Sequence, residues 1–106
     1  MKILFVALCA LASASVPLAP QGYVLGPDTA KWVVEVYYDH LCSASAYLFP
    51  GLYDYWLNHS DEVQLKIYSF ALPYHHNSIV VAAGGKYIHD NHPDQYVAFL
   101  GYMFAN

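Results

Sequence analysis

The sequence predicts an α/β fold built on a strand–helix–strand unit. Three segments point to it. Lys31–Tyr38 (KWVVEVYY) is dense in β-branched and aromatic residues. Ser43–Asn58 carries apolar residues at helical spacing. Glu62–Phe70 (EVQLKIYSF) alternates Val63, Leu65 and Ile67 with Gln64, Lys66 and Tyr68. The joints are short, and strands linked through a helix run parallel with a right-handed crossover.

Each element follows from its residues. MKILFVALCALASASVPLAP opens with Lys2, an apolar run from Ile3 to Leu11, and then small residues. Ala12-Ser13-Ala14 fits a signal-peptidase site, so residues 1–14 are expected to be a cleaved signal peptide. The apolar run is shorter than the roughly 20 residues of a membrane-spanning helix. Cys9 leaves with this segment, and bulky Leu8 before it argues against a lipoprotein signal. Residues 15–30 hold three prolines and two glycines, and read as an irregular lead-in with a turn at Gly26–Asp28. Apart from Glu35, the first strand has apolar side chains on both parities, as expected of a strand covered on both faces. In the helix, Leu48, Leu52, Tyr55 and Trp56 fall at i, i+4, i+7 and i+8, with Pro50 expected to kink it. Asn58–Asp61 reads as a turn. Beyond the second strand, residues 75–90 form a second helix weakened by Gly84-Gly85. A third begins near Pro93, with Tyr96, Val97, Phe99, Leu100, Met103 and Phe104 as its apolar face.

Composition narrows the function. Loss of residues 1–14 removes Lys2, leaving three lysines and eight acidic residues. Such a surface repels phosphate backbones, so nucleic acid is not an expected partner. One remaining cysteine closes no internal disulfide. Eleven tyrosines favour a packed globule over disorder.

Cys42 falls where the first strand ends and the helix begins. Free N–H groups and the helix dipole favour an anion there, and a thiolate is an anion. This placement lowers a thiol pKa from about 8.5 into a range of roughly 3.5 to 7.5, provided that the sulfur is exposed.

The residues around it resemble a known family. GPDTA at 26–30, then WVVEVYYDHLC, looks like the N-terminal part of DsbA-like thioredoxin-fold proteins, in which an aromatic-rich strand precedes D-x-x-C-x-x-C. Asp39 and Cys42 match in register. Pro50 lies five residues beyond Ser45, as the helix proline does beyond the family's second cysteine. LPYHHNSIVVAAG resembles the L-P-x-H-x-x-A segment that opens the family's helical insertion. The resemblance spans residues 26–106 and implies a partial thioredoxin-like domain over 31–106.

Two departures stand out. Ser45 replaces the second cysteine, giving Cys42-Ser43-Ala44-Ser45, and a serine cannot resolve a mixed disulfide. The family's C-terminal β-hairpin and helix, with the cis-proline loop before them, do not follow; Pro73 and Pro93 are misplaced for that loop. A fragment or shortened gene product is the expectation. The resemblance therefore implies a secreted protein, in the secretory lumen or the periplasm of a bacterium, that performs monothiol thiol–disulfide exchange. Cys42 would attack, Ser45 would donate a hydrogen bond to the thiolate, and Ser43 and Ala44 would shape the active-site turn. Disulfide-bearing clients or glutathione would be the partners, with no cofactor beyond glutathione as an external thiol. The alternatives are a redox-inactive binding or chaperone module, and a kappa-type glutathione-dependent isomerase or transferase.

Other candidates are weaker. Asp39 is expected to end the strand or cap the helix rather than to exchange protons with the thiol. His75-His76 and His89-x-x-His92 lack the carboxylate or cysteine that would complete a metal site, and read as surface or turn residues; no metal is expected. Asn58-His59-Ser60 is a glycosylation acceptor triplet.

Overall fold

The computed structural model describes residues 22–106. The expected signal peptide, residues 1–14, lies outside them. Among these described residues the elements run β1 (Tyr23–Leu25), β2 (Trp32–Tyr38), α1 (Ser43–Asn58), β3 (Val63–Ser69), α2 (Ser78–Asn91), a 3₁₀ turn (Pro93–Gln95) and α3 (Tyr96–Ala105). The sheet order is β1–β3–β2. β2 and β3 pair in parallel, from Trp32 opposite Val63 to Tyr38 opposite Ser69. This is the expected strand–helix–strand unit. Among the described residues no helix is long and apolar enough to cross a membrane.

The lead-in is not wholly irregular. Tyr23–Leu25 pairs antiparallel with β3, Tyr23 opposite Ile67 and Leu25 opposite Leu65, so β3 becomes the central strand. Three residues are too few for alternation to register in a sequence, and the strand exists because β3 offers a free edge. The turn after it is tightly held. Gly26 adopts φ 91°, and a Cβ there would meet the Val63 carbonyl oxygen at 2.6 Å. The buried Gln64 amide donates to Pro27 O at 3.1 Å and to Asp28 Oδ1 at 3.0 Å.

Nor is β2 covered on both faces. Val34, Val36 and Tyr38 turn toward the helices, whereas Val33 and Tyr37 on the opposite parity are about half exposed. On that open face Tyr37 stacks on Tyr68 at 4.8 Å and meets Phe70 edge-on at 6.4 Å. These rings shelter one another on a face that no helix of the described residues covers.

The covered face packs Tyr38, Leu65 and Ile67 against Phe49 of α1 and Tyr96 and Leu100 of α3. In α1 the inward seam is Phe49, Leu52, Tyr53 and Trp56, at i, i+3, i+4 and i+7, not the seam through Leu48 and Tyr55. Phe49 is 6% exposed and Leu48 52%. The sequence holds two overlapping apolar stripes, and tertiary contact selects one. The Trp56 indole N–H donates to Val63 O at 3.0 Å, which orients the helix over β3. α1 runs through Pro50 as a single element, with Pro50 on its exposed side.

The two glycines of α2 have different surroundings. Gly84 meets open space, while a Cβ on Gly85 would lie 3.0 Å from the Phe99 ring and 3.2 Å from His40 Nε2. Gly85 weakens the helix by propensity but permits α2, α3 and His40 to approach closely. Replacing Gly26 with alanine is expected to cost about 1–3 kcal/mol, because both its backbone angle and the Val63 carbonyl oppose a side chain. A urea denaturation midpoint compared with that of Gly84→Ala checks this: the second change should be neutral or stabilising.

Candidate thiol site

β2 ends at Tyr38, and α1 starts at Ser43 with Cys42 in the N-cap position, its backbone extended at φ −88° and ψ 124°. An extended residue just before a helix directs its side chain toward the unsatisfied amides of the first turn. The Cys42 thiol is free and half-buried. The Ser45 N–H is the strongest influence lowering its pKa below the ordinary thiol value. Burial pushes the other way; the Ala44 N–H and the Ser45 hydroxyl lower it further, and the Asp39 charge raises it. The amides outweigh the carboxylate. Cys42, Ser43, Ala44 and Ser45 are thus gathered in one helical turn.

Asp39 does not cap that helix. It is 2% exposed and collects donors from three segments. The Leu41 N–H donates to Oδ1 at 2.8 Å, and the Leu72 N–H to Oδ2 at 2.7 Å. His75 Nδ1 donates to Oδ2 at 2.8 Å, and the buried Ser78 hydroxyl donates to Oδ1. Burial alone would raise this carboxyl. The bonds from Ser78, Leu41, Leu72 and His75 reverse that, and hold it far below the usual carboxylate range. The expected second helix therefore begins at Ser78 rather than His75, because residues 72–78 are bent around this carboxylate.

Histidine roles also differ from the surface reading. His75 is part of the Asp39 cluster. His40, which no sequence pattern singled out, is 2% exposed and sits beside Phe99 and Phe104, with ring centroids at 5.5 and 6.4 Å. Its Nε2 lies 3.4 Å from Ser69 Oγ, which is 3.4 Å from the Tyr96 hydroxyl. Among the described residues Nδ1 has no hydrogen-bond partner, and neither has the buried Tyr38 hydroxyl. Burial pulls the His40 pKa down while the Asp39 charge opposes it, and the net effect favours the neutral ring. Burial pushes the Tyr38 hydroxyl up to about 12. The only sequence signal for His40 was its place between a strand end and Cys42.

A cleft of about 220 Å³ opens beside the thiol. His40, Leu41 and Cys42 form one side of it, and Met103 and Phe104 of α3 another. Pro50 and Asn58 lie apart from it along α1. Asn58 is exposed at the far end, its side-chain amide donating to Asp54 O at 2.8 Å. Among the described residues no group of three His, Cys, Asp or Glu side chains could hold a metal ion.

No protein-family model matches this sequence, and no curated protein matches it. The fold is similar to the crystal structure of oxidised BdbD from Bacillus subtilis, with a TM-score of 0.69 at 20% identity. The match covers 81% of this chain and 48% of BdbD, so the chain spans about half the length of that protein. The shared part is a partial thioredoxin-like fold.

Asp39→Asn tests the cluster. A carboxyl held low in the folded state stabilises the protein above its unfolded pKa of about 3.9, and that contribution fades as pH falls through the folded value. The substitution is expected to remove about 2–4 kcal/mol at pH 7, since an amide presents a donor to donors. The difference from the parent should shrink steadily below about pH 4. Urea midpoints measured from pH 7 to pH 2 give both quantities.

Proposed function

We propose that this chain performs thiol–disulfide exchange through Cys42, acting as a monothiol. The observation that carries the reading is the half-buried sulfur at the first turn of α1, where the Ser45 and Ala44 amides and the Ser45 hydroxyl favour its thiolate. A thioredoxin-like fold supports it, as does the D-x-x-C register of Asp39 and Cys42.

The chemistry is a displacement. The Cys42 thiolate attacks one sulfur of a partner disulfide, and a new bond to Cys42 forms as the partner's S–S bond breaks. The departing sulfur carries away the electron pair as a thiolate and takes a proton from solvent. Ser45 stands where a second thiol would resolve the product, so release requires an external thiol such as glutathione. Protein disulfides or glutathione disulfide would be the partners. Residues 1–14, read as a signal peptide, would deliver the chain to a compartment where disulfides persist.

The rate of Cys42 alkylation against pH is expected to reach half its maximum below the ordinary thiol value of about 8.5. Ser45→Ala should shift that midpoint upward. Incubation with a disulfide-bearing protein should accumulate a covalent adduct on the parent chain. The Ser45→Cys variant should discharge that adduct, leaving an internal disulfide between Cys42 and the introduced thiol. A thiol that titrates at the ordinary value and forms no adduct overturns the reading in favour of a redox-inactive scaffold.

A further inference from the structure

β2 lies at one edge of the sheet, and that edge is long and regular. Among the described residues β2 pairs with β3 alone. Its seven residues keep unbroken register from Trp32 to Tyr38, without a proline or a bulge. The opposite edge, β1, is only three residues long. The Trp32 N–H donates to Glu62 O at 3.0 Å, and Tyr38 O accepts from the Phe70 N–H at 2.8 Å. The even-numbered residues of β2 thus turn their peptide groups toward β3. Peptide groups alternate along a strand, so those of Val33, Glu35 and Tyr37 point out from the edge. Such a row is a template for another strand unless its side chains forbid pairing.

Here the side chains favour one occupant. Lys31 and Glu35 are exposed on either side of Val33, and among the described residues neither belongs to an ion pair. Glu35 accepts only a long bond from the Tyr68 hydroxyl, at 3.3 Å, and Lys31 Nζ rests 5.4 Å from the Trp32 ring centroid. One sign of charge on an edge repels a second copy, whereas opposite signs placed symmetrically about a centre attract it. When two β2 strands pair antiparallel about a two-fold axis at Val33, Lys31 of each copy stands opposite Glu35 of the other. An axis at Glu35 would instead set two carboxylates face to face, which is destabilising. The Val33 register also lays the exposed Trp32 of each copy across from Val34 of the other, an aromatic–β-branched pair. Overlap is confined to residues 31–35. It stays clear of the Tyr38 end, where the Phe104 ring of α3 lies 5.5 Å away.

We propose that the β2 edge binds a second copy of this chain, forming an isologous dimer in antiparallel register about Val33 with a Lys31–Glu35 ion pair on each side of the axis. Two three-stranded sheets then become one continuous sheet. The axis sends the two Cys42 turns to opposite ends of that sheet, so both thiols stay open and the dimer does not depend on the exchange reaction.

Sedimentation velocity of the full chain across a wide range of concentration tests this, with reductant present so that no Cys42 disulfide joins copies. The parent mass is expected to rise from one copy to two and no further. Lys31→Glu and Glu35→Lys each leave a single sign of charge on the edge, and each should weaken dimerisation about tenfold or more. A one-to-one mixture of these two variants restores opposite charges at both positions, and should dimerise as the parent does. Amide exchange at Val33 and Glu35 should slow as the dimer forms, while Tyr37, beyond the overlap, stays fast. A parent that sediments as one copy at every concentration overturns the dimer, and slow Val33 exchange in that monomer assigns the edge to another segment of the chain. Growth beyond two copies overturns the closed pairing. A dimer untouched by both single variants, or a mixture that stays monomeric, overturns the Val33 register.

Discussion

A carboxylate taken out of water must be surrounded by donors or it will not stay ionised, and Asp39 is placed where that condition organises everything near the thiol. Its donors are the Leu41 amide in the turn before α1, the Leu72 amide and His75 in the loop after β3, and the Ser78 hydroxyl at the first position of α2. One side chain thus ties three segments that are up to 39 residues apart in sequence. Uncompensated, a charge of this kind would cost several kcal/mol. The turn that carries Cys42 inherits its position from this bonding, three residues further along.

The same carboxylate works against the sulfur it positions. Its charge raises the Cys42 pKa, while the Ser45 and Ala44 amides and the Ser45 hydroxyl lower it, and the donors prevail. The arrangement separates two anionic demands within four residues. Asp39 is satisfied by donors from the turn before α1, the loop after β3 and α2, and Cys42 by donors from the first turn of α1. Neither set is shared, so both anions can exist together.

Behind the site, aromatic packing sets the limits. Tyr38 meets Phe49 and Phe104 edge-on at 5.9 and 5.5 Å, and His40 stacks on Phe104 at 6.4 Å. Phe104 therefore lies between two rings whose polar atoms, the Tyr38 hydroxyl and His40 Nδ1, lack partners among the described residues. Rings of this size fill space with little rotamer freedom to lose, which favours a fixed wall over an adaptable one. Gly85 completes the packing by leaving room for His40 where any side chain would intrude.

The strand–helix–strand order, the boundaries of β2, α1 and β3, and the position of Cys42 at a helix start could be read from residue types, because alternation, helical spacing and chain order are local properties. The apolar face of α3 was readable for the same reason, with Tyr96 and Leu100 buried as the spacing implied. Features that depend on a distant partner could not be read in this way. β1 pairs only with β3, the inward stripe of α1 is set by Phe49 and Tyr53 packing into the core while Leu48 and Tyr55 stay exposed, and β2 leaves Val33 and Tyr37 half exposed. Asp39 looked like a cap because an acid before a helix commonly is one. Only the folded chain brings Leu72, His75 and Ser78 to it, and only burial between Phe99 and Phe104 distinguishes His40 from the other five histidines. Short-range preferences chose the elements; long-range hydrogen bonds and close packing chose their faces and the surroundings of the thiol.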